Sequence, residues 1–287
     1  MRAEQVTAPV TWHGEGPCWD PIGHRMLVVD MLAGAVVDLS SLRHPRRYEV
    51  GSRVAAVVRP RGGGGFVTAT EHGFALFDDD FTLERRLPDV VDDGGLRLNE
   101  GGCDPRGRFY CGSMAYDGTP DAGTLYRLEP DGSVSTALEG VTISNGLQWS
   151  RDGSLAYFID TPTRRVDVFD YDPADGSFHN RRPFAVLDED VAGAPDGMTI
   201  DADGGLWVAL WGGGAVRRYD AEGRLTEVID VPGVSHTSAA AFGGPDLDTL
   251  YITSSRQHLP AGAEPEAGAV FAARPGVRGA ALHTFSG

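Results

Sequence analysis

The chain has 287 residues, enough to bury a sizeable core, and no linker, charge block or low-complexity stretch divides residues 1–287 into more than one domain. Its 41 acidic against 25 basic residues give a net charge of −16, which argues against nucleic acid or an anionic membrane surface as a partner. Every one of the 25 basic residues is arginine, so Schiff-base and lysine-base chemistry are excluded.

Along the chain, one unit recurs. Short apolar and aromatic runs stand at residues 26–29, 66–68, 109–111, 156–158, 206–208 and 250–252. Measured between Leu27, Phe66, Phe109, Leu155, Leu206 and Leu250, the spacings are 39, 43, 46, 51 and 44 residues, the range of four-stranded propeller blades. The copy at 143–159 shows the pattern in full: a mixed strand at 143–149, a turn at Asp152-Gly153, and a buried strand at 155–159. Third strands are predicted at 35–39, 124–128, 165–171, 215–219 and 269–273, and fourth strands at 47–50, 134–138, 183–187, 225–231 and 281–285. Six copies of four antiparallel strands predict an all-β, six-bladed β-propeller. Residues 3–10 are expected as an additional strand closing the ring against the last blade, and the Pro/Ala/Glu-rich segment 259–266 as a loop. No amphipathic segment of helical length interrupts the pattern, and 39 glycines with 18 prolines disfavour long helices.

The first strand of each copy, aligned on its turn glycine, carries the chemistry. Eight residues before that glycine stand Glu15 (before Gly23), Asn99 (Gly107), Asn145 (Gly153) and Asp196 (Gly204). The sixth copy gives His236 if Gly244 is the anchor, and the second gives an apolar residue within 54–57. First strands line the central channel of a propeller, so equal spacing places these side chains at one depth around one axis. Carboxylates gathered in a desolvated channel repel one another unless a cation or proton lies between them. Glu, Asn and Asp are hard oxygen donors suited to Ca²⁺, Mg²⁺ or Mn²⁺, with Zn²⁺ also accommodated, so one divalent cation is expected in the channel. His13, on the same face as Glu15, reads as a structural histidine, and Trp149, Trp207 and Trp211 as blade packing. Trp211 is near enough to the end of its run to reach a pocket. Cys18, Cys103 and Cys111 lack metal-type spacing and read as buried reduced thiols. No apolar leader precedes the first copy and no apolar run of about 18 residues occurs, so a cytoplasmic location is expected.

Five ordered motifs resemble the SMP-30/gluconolactonase/regucalcin family: GEGPCWD at 14–20, RLNEGGCDPRGRFYCGSM at 97–114, ISNGLQWSRD at 143–152, PDGMTIDADGGLWVA at 195–209 and SHTSAAAFGG at 235–244. The resemblance spans essentially the whole chain and implies a six-bladed propeller with one catalytic divalent metal and lactonase activity on small-molecule sugar lactones. It places the metal ligands on Glu15, Asn145 and Asp196, and the substrate contacts on Arg97 and Asn99 with a further acidic contact in the loop after Met114. That loop reads Ala115-Tyr116-Asp117 here, so Asp117 is expected to keep the acidic role, while Tyr116 departs from the family pattern. Glu100 follows Asn99 where the family often has Asp. The implied mechanism has the metal polarise the lactone carbonyl while Asp196 takes a proton from the attacking water. Fold alone leaves two other readings open: a metal-dependent esterase or phosphotriesterase, and a calcium-binding propeller without turnover.

Overall fold

The computed structural model describes residues 1–287 as six four-stranded antiparallel sheets arranged radially as a β-propeller, with only two short 3-10 turns besides. The innermost strands are Gly14–Asp20, Ala55–Pro60, Leu96–Cys103, Ser144–Trp149, Ala194–Ile200 and Thr237–Gly243. They are short and buried because neighbouring blades press on both of their faces, which is why they read as apolar runs broken by a few polar residues. Apolar side chains from adjacent blades interdigitate in clusters, the largest joining the first three blades through residues such as Leu27, Val57, Phe66, Phe74 and Phe109. Cys18, Cys103 and Cys111 are buried and free.

The first hairpin of alternate blades is built on a buried aspartate. Asp20, Asp104 and Asp201 each accept backbone N–H groups of their own turn and pair with Arg25, Arg108 and Arg218 respectively. Part of the acidic excess is therefore structural and already paired.

Ring closure differs from the predicted pairing. The sixth sheet runs, from channel to rim, Thr237–Gly243, Thr249–Ser254, Phe271–Ala273 and then the N-terminal strand Glu4–Gln5, with Glu4 opposite Ala272 and Gln5 opposite Phe271. The N-terminal segment is thus the fourth strand of the last blade rather than an extra one. Residues 281–285, predicted as that fourth strand, instead cross beneath the ring. Ala280 donates to the Ile200 carbonyl, Phe285 to Pro60 and Ser286 to Gly107, while Gly62 donates to Phe285. The repeat frame predicts a strand here, but the backbone partners of the segment lie at the turns of the second, third and fifth blades. Residues 259–266 form the expected loop.

Phe285 is 1% exposed and packs its ring 6.5 Å from that of Phe109, so it anchors the tail in the core of the first three blades. Phe285→Ala is expected to cost about 3–5 kcal/mol in urea unfolding, through lost burial and the cavity left behind; a cost under about 1 kcal/mol would show that the tail is a loose strap.

Candidate functional site

All six innermost strands break register at the same place: between Glu15 and Cys18, Ala55 and Val57, Leu98 and Gly101, Ser144 and Leu147, Pro195 and Met198, and Thr237 and Ala240. A β-bulge turns its side chains out of the regular alternation and is a common device beside functional sites. Here it aims Glu15, Asn99, Asn145 and Asp196 into the channel at one level. The residue after three of the four is glycine: Gly16 has a positive φ of 48°, and Gly146 and Gly197 are required for a steric reason. A Cβ on Gly146 would stand 2.5 Å from the Met198 side chain and 3.0 Å from its backbone nitrogen, and one on Gly197 would stand 2.9 Å from the Ala239 Cα. The third blade alone places a large side chain there, Glu100.

Two aspartates at the ends of second strands fix the entry to this level. Asp30 Oδ1 accepts from the Trp12 and His13 backbone nitrogens at 2.9 and 3.0 Å, and Asp160 Oδ1 accepts from the Ile143 nitrogen at 2.9 Å. The approach to Glu15 and to Asn145 is therefore pinned just before each bulge.

These side chains line a cavity of about 210 Å³ at one mouth of the channel, walled by His13, Leu32, Met114, Tyr116, Ile143, Thr161, Trp211, Gln257 and His258 around Glu15, Arg97, Asn99, Asn145 and Asp196. A hydrogen-bonded chain orients the amides. Arg97 Nη1 donates to Asn99 Oδ1 at 2.6 Å, Asn99 Nδ2 donates to Asn145 Oδ1 at 3.1 Å and to the Ser144 carbonyl at 2.7 Å, and Asn145 Nδ2 donates to Thr161 Oγ1 at 2.6 Å. Thr161 in turn donates to the Pro195 carbonyl at 2.8 Å, so the Asn145 oxygen is the atom left toward the cavity. Both N–H groups of Asn99 are committed, and only its oxygen keeps a lone pair for a ligand.

The electrostatics are those of an acidic centre without an ion pair, its charge offset only in part by Arg97. Glu15 and Asp196 are 4% and 5% exposed, and neither forms a salt bridge. Burial first, and then the Glu100 charge, holds the Glu15 carboxyl well above the usual carboxylate range. Burial, then Glu15 and Glu100, does the same for Asp196. Glu100 lies among the buried groups below this level, with Oε2 unpartnered, and burial lifts its carboxyl to about 7. No group of three or more His, Cys, Asp or Glu gathers as a metal cluster. The converging donors are instead two carboxylates and one amide oxygen, and carboxylates desolvated without a cationic partner fit a hard divalent cation.

His13 is buried, its Nδ1 2.7 Å from Ser255 Oγ, and its ring meets Trp211 edge-on at 5.7 Å. It is packed and hydrogen-bonded as a structural histidine would be, and it also lines the cavity. His236 lies outside the ligand level: the bulge of the sixth blade gives that register to Ser238, whose hydroxyl donates to the Gly14 carbonyl at 2.6 Å. Gly244 misleads as an anchor because this hairpin is arranged differently, and His236 instead stacks on Trp211 at 4.2 Å. In the second blade the register falls on buried alanines, Ala55 and Ala56, as the apolar expectation required. Asp117 does not line the cavity. It faces solvent and closes a turn, accepting from the Thr119 nitrogen and hydroxyl at 2.9 and 2.7 Å. The neighbouring Tyr116 takes the place at the mouth. Thr161, Leu32, Gln257 and His258 were not singled out by sequence, because they sit in loops outside the repeat register.

A second cavity of about 390 Å³ lies at the other end of the channel, over the crossing tail, lined by Arg59, Trp149, Asp201 and residues 279–283. Its one carboxylate, Asp201, is consumed by Trp207 and Arg218. The larger cavity thus lacks the free acidic donors of the smaller one.

Residues 13–256 match the family described as the SMP-30/gluconolactonase/LRE-like region. A regucalcin of Danio rerio is 37% identical, over 100% of this chain and 99% of its own length. A Bacillus subtilis protein provisionally named a sugar lactone lactonase is 35% identical over 91% of this chain and 90% of its own. The solved structure of a calcium-binding protein, regucalcin, from Agrobacterium tumefaciens superposes with a TM-score of 0.91 at 27% identity, covering 99% of this chain and 97% of that one.

His13 gives a pH prediction. Burial lowers its pKa from 6.5 to about 3, so below 6.5 the unfolded chain binds a proton that the folded chain refuses. Its contribution is full above about pH 6.5 and is lost as pH falls toward 3. The stability of wild type is expected to fall more steeply across that window than that of His13→Gln, measured by urea unfolding at matched pH values. Parallel curves would remove the histidine as the cause.

Proposed function

The chain belongs to the SMP-30/gluconolactonase/LRE-like family, and on that premise we propose that it is a divalent-metal-dependent lactonase that opens a sugar lactone to its aldonic acid. The observation that carries this reading is the pair of buried carboxylates without an ion pair, Glu15 and Asp196, that share with Asn145 the lining of a cavity of about 210 Å³. The provisional naming of the Bacillus subtilis relative as a sugar lactone lactonase, and the description of the Agrobacterium tumefaciens neighbour as a calcium-binding protein, agree with it.

In this mechanism Glu15, Asn145 and Asp196 would hold the cation, which when bound would supply Lewis-acid polarisation of the lactone carbonyl. Asp196 also faces the substrate and takes the proton of the attacking water, then returns it to the leaving ring oxygen. Without the cation, burial raises its carboxyl well above the usual carboxylate range, and a bound divalent cation would act in the opposite sense. Arg97 holds substrate oxygens through the N–H groups it does not spend on the protein. Asn99 fixes both Arg97 and Asn145 and offers its oxygen to a sugar hydroxyl. Apolar walls at Leu32, Ile143 and Trp211 exclude bulk water from the reacting end.

A panel of aldonolactones followed by acid release is expected to show turnover that a chelator abolishes. Asp196→Asn should lower kcat by a factor of about 10²–10⁴. Chelator-sensitive cleavage of phosphotriesters with no lactone turnover would point to the esterase reading, and silence on every substrate to the non-catalytic one. Metal binding has its own readout. The raised carboxyl pKa values mean that, above about pH 4, the unfolded chain ionises Glu15 and Asp196 before the folded chain does. Metal-free stability therefore falls as pH rises through the folded values, and a bound divalent cation offsets that loss. The rise in Tm on adding Ca²⁺ or Mn²⁺ is expected to be larger at about pH 8 than at about pH 5, and to vanish in Glu15→Gln. A shift independent of pH and of Glu15 would place the cation elsewhere.

A further inference from the structure

Three arginines are buried in this protein, Arg59, Arg97 and Arg108, and they are satisfied differently. Arg108 pairs with Asp104 at 3.0 Å. Arg59 donates from both terminal nitrogens, to the Val58 and Gly101 carbonyls at 2.8 Å each. Arg97, 4% exposed, has no ion pair, and all its protein contacts come from Nη1: Asn99 Oδ1 at 2.6 Å, the Leu98 carbonyl at 3.1 Å and Met31 Sδ at 3.2 Å. Its Nε and Nη2 have no protein acceptor and are not among the sealed, unpartnered atoms, so they open on the cavity that the residue lines. One edge of a desolvated guanidinium is left without an acceptor, and that edge has the geometry for two parallel bonds to a carboxylate.

The group stacked beside this guanidinium is a neutral ring. Tyr116 lies 5.7 Å from the Arg97 guanidinium carbon, its hydroxyl donates to Glu71 Oε1 at 2.7 Å, and its backbone nitrogen donates to the Gly95 carbonyl at 2.9 Å. The phenol is tied down from outside the cavity by a residue of the second blade, and the nearest acid of its own loop, Asp117, is turned to solvent. Glu71 does not line the cavity, and Arg53 stands 3.8 Å from its carboxylate. A ligand in the mouth therefore meets Arg97 with no competing carboxylate on the Tyr116 side.

Resting on the lactonase reading, we propose that Tyr116, clamped by Glu71, makes the Arg97 end of the mouth a carboxylate subsite, so that this protein prefers sugar lactones bearing a terminal carboxylate over their neutral counterparts. Tyr116 is the specificity-determining residue. An acidic side chain in its place would occupy or repel from the free guanidinium edge and would favour a neutral, hydroxyl-bearing end instead. The reacting carbonyl and the carboxylate subsite are separate, so the chemistry is the same for both classes of lactone.

The test compares glucono-γ-lactone with glucaro-γ-lactone, which share a ring and differ at the terminal carbon, in wild type, Tyr116→Glu and Tyr116→Gln. The wild type is expected to show a kcat/KM about tenfold or more higher for the acidic lactone, the size of one charge-assisted pair. Tyr116→Glu should lower that ratio by about tenfold or more, and the neutral Tyr116→Gln should largely keep it. A wild-type ratio near one, or a ratio unmoved by Tyr116→Glu in folded protein, overturns the proposal while leaving the lactonase reading intact. Calorimetric titration with the ring-opened products, glucarate against gluconate, gives an answer free of turnover. Tighter glucarate binding that Tyr116→Glu removes supports the subsite even if neither lactone is hydrolysed, and equal binding overturns it.

Discussion

The structure is organised around like charges held out of water. Glu15, Asp196 and Glu100 are all nearly inaccessible, and the two arginines in the same channel, Arg59 and Arg97, form no ion pair with them. Desolvating an unpaired carboxylate costs several kcal/mol, so such an arrangement persists only where the rest of the fold over-determines it. The six bulges supply that determination. Because every inner strand breaks register at the same depth, side chains from different blades reach one level without a flexible loop among them. The small residues that follow the ligands belong to the same constraint, since at Gly146 and Gly197 the next blade leaves no room for a Cβ.

Around this strained centre the ring is tied at two places by its own ends. The N-terminal strand completes the last blade, which joins the start of the chain to residues near its end and makes closure of the ring a long-range contact. The C-terminal tail then crosses beneath and bonds to turns of three blades. Both ties lie away from the mouth. Structural acids are paired with arginines at both ends of the blades: Asp20, Asp104 and Asp201 at the hairpin end and Asp30, with Arg47, near the mouth, whereas Glu15 and Asp196 have no such partner.

The blade count was legible in sequence because the buried second strands repeat as apolar runs, and the ligand level because four hairpins place the turn glycine at the same offset from the bulge. Where that offset changes, the arithmetic fails. In the sixth blade it selected His236 although the bulge presents Ser238. The tail misled for a related reason: the repeat frame assigns a fourth strand by position, not by backbone partner, and residues 281–285 bury Phe285 without joining a sheet. Loop geometry was the least legible part. Asp117 and Tyr116 are adjacent, and nothing in their order tells which faces the cavity. The turn made by Asp117 with Thr119 decides it.

Arg97 and Asn145 show why the site must be read as a network rather than as a roster of ligands. Asn145 is neutral, and an amide oxygen is a weaker donor than a carboxylate, yet a third carboxylate at that position would add a further desolvated charge to two already held far above their usual range. Its amide is useful only if the oxygen faces inward, which Thr161 and Asn99 enforce by taking up its two polar ends. Asn99 can do so because Arg97 supplies the donor for its own oxygen. The chain of bonds therefore runs from the Arg97 guanidinium to the Asn145 oxygen through one fixed amide. A group that draws Arg97 toward the mouth acts on Asn145 through that same amide, so on the proposed function substrate recognition and metal geometry would be coupled.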